Sequence, residues 1–421
     1  MLSLGSALPP YAALVARPAL AKELPARREL VERVVSWKSL PPEDAADLLQ
    51  NLRDAEARDA IARGDDDVLP FLALAYEDRP AEADAVLVPL LASRSAGAAR
   101  RAVLLATTLR APDATAAALE RLGIDPLLDD AIAKMCVELR PKDAEEALRR
   151  RLDDAPRSSG TLLAALADLA TSDSLSFFMD QAESDDANVR RLSARGLRHA
   201  GDHETVAYVT KLLAVEKDGP ARRELTLCLG ALGGTKELAD LTTCLGSPRP
   251  RLDRALCLEA LTLSPDPTVV RALAGILEEK RNDLRREAVT ALGGRTEDSA
   301  RTALLSVFEE EDDPIVFRFE ADALARLQEK RAARKLVKAL DDPNLAIWAA
   351  LALGQLGDAA AIPVLRELAK DPELREDAIK LLLDLHDRNA VPIVEEIYDR
   401  EKRARVRALA LKAIMVLGAR S

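Results

Sequence analysis

Residues 342–365 read DPNLAIWAALALGQLGDAAAIPVL, and residues 371–394 read DPELREDAIKLLLDLHDRNAVPIV. The two stretches stand 29 residues apart and agree in kind from end to end. Each opens on Asp-Pro, a pair that breaks a preceding helix and begins a turn. Each continues with an apolar stripe at helical spacing. A turn follows, containing Gly357-Asp358 in the first stretch, and then a second apolar segment with Pro363 or Pro392 early in it, where a missing N–H costs least. The unit is helix, turn, helix.

The same unit extends outward along the chain. One anchor per copy can be taken at Leu166, Leu197, Leu229, Leu258, Leu292, Leu324, Leu353, Leu382 and Ile414, with spacings of 31, 32, 29, 34, 32, 29, 29 and 32 residues. Twelve residues beyond the first eight anchors stand Phe178, Val209, Leu241, Val270, Leu304, Leu336, Leu365 and Val394, all apolar. With 48% apolar residues, chance alone would give that result with a probability of about 0.003. Every copy therefore has a second helix whose inner face is in register with the first. Gly201, Gly233, Gly357 and Gly418 lie four residues past their anchors, where a C-terminal cap of positive φ is expected. Asp202 and Asp358 follow, suited to capping the next helix.

This run of Asp-Pro, an alanine-rich helix, Gly-Asp and a proline-started second helix resembles the HEAT family, in particular the short bacterial repeats typified by phycobilisome lyases. The resemblance is clear over 158–421 and weak over 66–157. It implies an all-α fold, a right-handed α-solenoid (superhelix) of about 11–13 stacked antiparallel helix pairs, with second helices on the concave side. On this reading residues 1–65 are an atypical helical cap or a docking element, with helices near 11–23, 26–37 and 42–62. Residues 66–157 are divergent repeats. Residues 158–421 are regular repeats ending in a single helix, which either caps the array or turns apolar residues towards another chain.

Composition agrees with helices and narrows function. Aromatics are only 3% of 421 residues, while Ala and Leu abound, a mix that favours closely packed helices over sheets. The net charge of −11 argues against a dedicated nucleic-acid binder, because phosphate binding is driven by a basic field. No stretch has the length and apolarity of a membrane span, and the first residues lack a basic signal-peptide region. Cys136, Cys228, Cys244 and Cys257 show no metal-ligand spacing and read as buried thiols of a reducing compartment. The protein is accordingly expected to be cytoplasmic, and its Arg-rich, Ala-rich composition suggests a bacterial source.

Few residues invite chemistry. The Arg seven residues before the anchor recurs as Arg190, Arg222, Arg251, Arg285, Arg375 and Arg407; the resemblance implies an Asp–Arg ladder between units, and a basic stripe is the alternative. In two consecutive units that Arg becomes Phe317 and Ala346, while the site five before the anchor becomes Phe319 and Trp348. Phe317, Phe319 and Trp348 are therefore candidate partner-binding residues, against which stands simple packing between units. His199 and His203 flank Gly201 and make a poor metal pair. The runs Glu309–Asp313 and Arg149–Arg151 read as solvated helix ends. No catalytic triad, phosphate loop or metal motif is present, so no catalytic residue, metal or cofactor is assigned. The expected function is a non-enzymatic scaffold or adaptor for one or more proteins. A bilin-lyase-like enzyme or subunit is the first alternative, and a HEAT-like DNA glycosylase, which would require a basic, Trp-rich face, the second.

Overall fold

The computed structural model describes residues 41–418 apart from 51, 53, 65, 155–159, 247–253, 281 and 312. Among the described residues there are 25 α-helices and no strand. They divide into two compact units, one made from the described parts of residues 1–114 and 362–421, the other from 115–361.

The first unit contains α1 (Pro42–Gln50), α2 (Asp54–Arg63), α3 (Leu69–Tyr76), α4 (Pro80–Leu91) and α5 (Ala96–Leu109), and α6 (Pro112–Leu119) spans the boundary. The second contains α7 (Pro126–Leu139), α8 (Ala144–Asp154), α9 (Gly160–Leu169), α10 (Leu175–Gln181), α11 (Ala187–Ala200), α12 (Val206–Val215), α13 (Gly219–Leu232) and α14 (Thr235–Gly246). It continues with α15 (Arg254–Thr262), α16 (Val269–Leu277), α17 (Asn282–Gly293), α18 (Asp298–Phe308), α19 (Pro314–Arg326), α20 (Ala333–Ala339) and α21 (Ala346–Gln355). The first unit is completed by α22 (Ile362–Leu368), α23 (Arg375–Asp384), α24 (Val391–Arg400) and α25 (Ala404–Leu417).

In the second unit the odd-numbered helices form a continuous row in which each packs on the next, from α7 to α21. Each even-numbered helix packs on the odd-numbered helix that follows it, as α10 does on α11 and α14 on α15. Apolar burial explains this order. Seven of the nine anchors are buried, and so are all eight residues twelve positions beyond them. Leu229 and Ile414 are only half-buried. In α13 the interior position beside Leu229 passes to Cys228 and to Gly230, where an added Cβ would sit 2.0 Å from the Ala260 carbonyl oxygen. Mid-helix glycine costs about 1 kcal/mol relative to alanine; here it lets α13 and α15 approach until their backbones touch.

The turns are more varied than the glycine pattern suggests. Gly357 has φ +78°, as expected of a left-handed cap. The equivalent residues of the flanking repeats, Gln328 and His386, also have positive φ, both 53°. In all three repeats the N–H five residues past the anchor returns to the anchor carbonyl, from Glu329 to Leu324, Asp358 to Leu353 and Asp387 to Leu382, at 2.9–3.0 Å. The Asp358 and Asp387 carboxylates then cap the next turn at the Ala360 and Asn389 N–H groups. Gly201 (φ −79°, ψ 170°) and Gly233 (φ −66°, ψ 148°) are extended instead. Their N–H groups close ordinary helical bonds to Leu197 and Leu229, so the chain leaves α11 and α13 without a left-handed residue. Gly418 also has negative φ, −79°.

Two further expectations, on the stretch 42–62 and on two of the cysteines, are corrected, and the packing of the last helix is defined. The stretch 42–62 is two helices, α1 and α2, while residues 1–40 lie outside the described residues. The last helix is not left with an open outer face: within the first unit α25 packs on α23 and α24 and also on α1 and α3, with Lys412 paired to Glu77. Cys244 of α14 and Cys257 of α15 are joined as a disulfide, their Cα atoms 6.3 Å apart, within bridging range. That pairing removes the four-thiol argument for a reducing compartment. Cys136 and Cys228 remain buried thiols, and burial pushes each up to about 12.

Leu353→Ala is expected to cost about 2–5 kcal/mol in urea unfolding, and Leu229→Ala clearly less, because Leu353 is 0% exposed and Leu229 is half-buried; equal losses would contradict the packing order. His386 is exposed, and His386→Gly is expected to raise stability by about 1 kcal/mol by relieving its left-handed backbone. A lower melting temperature in that variant would count against the shared cap.

Candidate functional site

The recurring arginines bind two things at once. Arg190 of α11 donates from Nη1 to the Ser184 and Asp185 carbonyls behind it, at 2.9 and 3.0 Å. Its Nε and Nη2 reach forward to the Glu216 carboxylate at 2.8 and 3.1 Å. Arg375 repeats the pattern, to the Ala369 and Lys370 carbonyls and to Glu401 at 2.7 Å. Arg285 reaches Glu311 at 2.6 Å. Arg222 takes the Leu213 and Glu216 carbonyls, and Arg407 the Tyr398 carbonyl while lying over the Tyr398 ring. Arg251 lies outside the described residues. The acid in these pairs is thus glutamate from the turn one repeat on, not the aspartate that the resemblance implies. An Asp side chain is one methylene shorter, and here the Asp residues of the turns cap helices, as Asp186, Asp218 and Asp313 do. Arg190 beside Glu216, and Arg403 with Arg375 beside Glu401, hold both carboxyls down at about 2, helped by backbone N–H groups of the turns.

The repeat that lacks this arginine replaces it by another route. Phe317 is fully buried, with its ring 5.3 Å from that of Phe308. Lys335 of α20 donates to the carbonyls of Phe308 and Glu311, the bonds that a ladder arginine would make, and its ammonium lies 4.9 Å from the Phe308 ring centre. Phe317 is therefore core, and a partner cannot touch it without opening the repeat. Next to it Glu320 is also buried; burial pushes its carboxyl up to about 8, the Glu311 charge adds to this, and Lys335 and Arg285 oppose it.

Phe319 and Trp348 are different. Both are half-buried on the odd-numbered helices, α19 and α21. The Arg318 guanidinium carbon lies 4.0 Å from the Trp348 ring centre and 5.7 Å from that of Phe319, so one cation bridges both rings. Arg286 of α17 lies 5.7 Å from the Phe319 ring centre on the other flank. The order Arg286, Phe319, Arg318, Trp348 crosses three consecutive odd-numbered helices. Phe319 also lines a cleft of about 680 Å³ with Arg223, Glu259, Asp283, Arg286 and Glu287. The equivalent positions in other repeats are not uniform: Leu192 and Glu224 are buried, while Glu287 and Asp377 are exposed.

Arg286 and Arg318 were not singled out from sequence, although a signal existed. Arg191, Arg223, Arg286 and Arg318 all stand six residues before their anchors, one step round the helix from the ladder. Arg191 is held by Asn188 and Arg223 by Glu259. Of the other candidates, His199 is exposed at the surface, and partial desolvation together with the neighbouring Arg198 lowers its pKa. The Arg149–Arg151 run is occupied locally, by the Asp173 carbonyl, Glu146 and Asp129. Among the described residues no cluster of His, Cys, Asp or Glu is arranged to hold a metal ion, and no helix is long and apolar enough to cross a membrane.

The family model for HEAT repeats matches residues 175–262, 303–376 and 333–415. The chain is a HEAT-repeat protein. Solved structures similar to it include an engineered protein, 16% identical, covering 93% of this chain and 100% of its own, with a TM-score of 0.32. Two others are structures of the karyopherin Kap121p. One is of the protein itself, 12% identical over 97% of this chain and 56% of that one, TM-score 0.42; the other is bound to Pho4p, 13% identical over 93% and 54%, TM-score 0.42. The HEAT-repeat chain thus spans a little over half the length of Kap121p. No curated protein matches it.

The ladder carboxylates set a pH dependence. Glu216 and Glu401 are depressed from 4.5 to about 2, so their pairs stabilise the fold above the unfolded value and lose that contribution as pH falls from about 4.5 towards 2. Glu216→Gln/Glu401→Gln is expected to lose about 1 kcal/mol or less per pair at pH 7, after solvent screening, and to lose less further stability than the parent on acidification. Parallel melting curves from pH 6 to pH 2 would contradict this.

Proposed function

We propose that this HEAT-repeat chain is a non-enzymatic scaffold or adaptor that binds one or more partner proteins, and that the α17–α19–α21 face is where it does so. The observation that carries the reading is the pair Phe319 and Trp348, two large rings left half-buried on neighbouring repeats, the first of them lining an open cleft. Large aromatics on a rigid surface bury much area at little entropic cost, which is why they recur as anchors of interfaces. A row of stacked helices suits the role, since equivalent side chains of successive repeats fall side by side on a continuous surface.

Cross-linking followed by affinity capture with the full chain, compared with Phe319→Ala/Trp348→Ala, tests the assignment. Partners held by the parent should be lost by about tenfold or more in the double variant, corresponding to about 1.4 kcal/mol, while its melting temperature stays within a few degrees. Undiminished capture, or a collapse in stability equal to that of a core substitution, would refute it.

A further inference from the structure

Arg286 and Arg318 differ from the other guanidinium groups of their row in what they lack. The described ladder arginines are held by carbonyls or carboxylates, Arg223 is paired with Glu259, and Arg295 is held by Glu297 and by the Ser264 and Asp266 carbonyls. The Arg286 and Arg318 side chains make no hydrogen bond or ion pair among the described residues, and lie near the rings of Phe319 and Trp348. Arg286 Nε is buried without a hydrogen-bond partner. Arg318, 4.0 Å from the Trp348 ring centre, lies at stacking distance, which leaves its N–H edge open to a two-oxygen acceptor, while Arg286 offers its Nη groups beside Phe319.

From this geometry we propose that the α17–α19–α21 face binds an extended acidic segment of a partner protein, with its carboxylates taken by Arg286 and Arg318 and an apolar side chain laid against Phe319 and Trp348. The proposal rests on the scaffold reading and names the chemistry of its partner. Both guanidinium carbons are 5.7 Å from the Phe319 ring centre, hence no more than about 11 Å apart. Alternate side chains of an extended strand, about 7 Å apart on one face, reach across such a span with flexible glutamates. Ile315, 53% exposed, stands three and four residues before Arg318 and Phe319 on α19 and adds an apolar rim to the same face. Asp283, Glu287 and Glu259 line the cleft beside Arg286. They oppose a continuous phosphate backbone, which places charge at every step, but leave room for a peptide whose carboxylates are spaced.

The test uses the full chain and labelled short peptides that alternate Glu with Leu, the same peptides with Gln or Lys in place of Glu, and a thymidine oligonucleotide, all read by fluorescence anisotropy. The Glu–Leu peptide is expected to bind about tenfold or more tighter than its Gln form. Arg286→Ala/Arg318→Ala should remove that preference with the melting temperature unchanged, whereas Arg191→Ala, at the equivalent site of an earlier repeat, should leave it intact. No binding, equal binding of the Glu and Gln peptides, a preference for the Lys peptide or the oligonucleotide, or unaltered selectivity in the double arginine variant would each overturn the proposal. If such a result accompanied capture that still depends on Phe319 and Trp348, the acidic partner would fall and the scaffold would stand.

Discussion

A helix pair of some thirty residues has two apolar faces and can cover only one of them by itself. Seven of the nine anchors, all on odd-numbered helices, are buried, and the residues twelve positions on close the second layer. Burying one such leucine contributes about 2 kcal/mol, so the fold belongs to neighbours jointly and to no repeat singly. Within the first unit the constraint extends to α25, whose outer face is covered by α1 and α3.

Electrostatics is arranged around that stacking. Arg190 and Arg375 each satisfy carbonyls left open at the end of one helix and a glutamate in the turn of the next repeat, tying three consecutive segments at one point. Where Phe317 takes the arginine's place, Lys335 arrives from α20 to hold the same carbonyls. The exchange keeps the backbone groups paired while moving an aromatic ring into the core. It also leaves the surface of α19 free to carry Arg318 and Phe319, so the change that repacks the repeat adjoins the residues assigned to binding.

Much of this fold was legible in the sequence because burial imposes a period, and the period survives variation of individual residues. What escaped depends on local geometry that periodicity does not carry. Gln328 and His386 adopt the same left-handed cap as Gly357 with no glycine to announce it. Leu229 occupies an anchor position yet is half-buried, because Gly230 draws α13 onto the backbone at Ala260. The Cys244–Cys257 bridge depends on how closely α14 and α15 bring those two residues together, which the period does not encode. At the candidate site the odd pair Phe319 and Trp348 stood out against the repeat, but Phe317 was grouped with them on sequence position alone, although helical geometry turns it inward. Arg286 and Arg318 were passed over because an arginine on a helix surface is ordinarily solvated or paired, and only the stacked rings set these two apart.

If stability is shared in this way, damage at one anchor must spread to the repeats on both sides. Native-state hydrogen exchange on Leu324→Ala measures that most directly, since Leu324 is fully buried in α19 between α17 and α21. Faster exchange is expected in α17, α19 and α21 together, with distant helices such as α11 unchanged. Loss of protection confined to α19 would contradict the account.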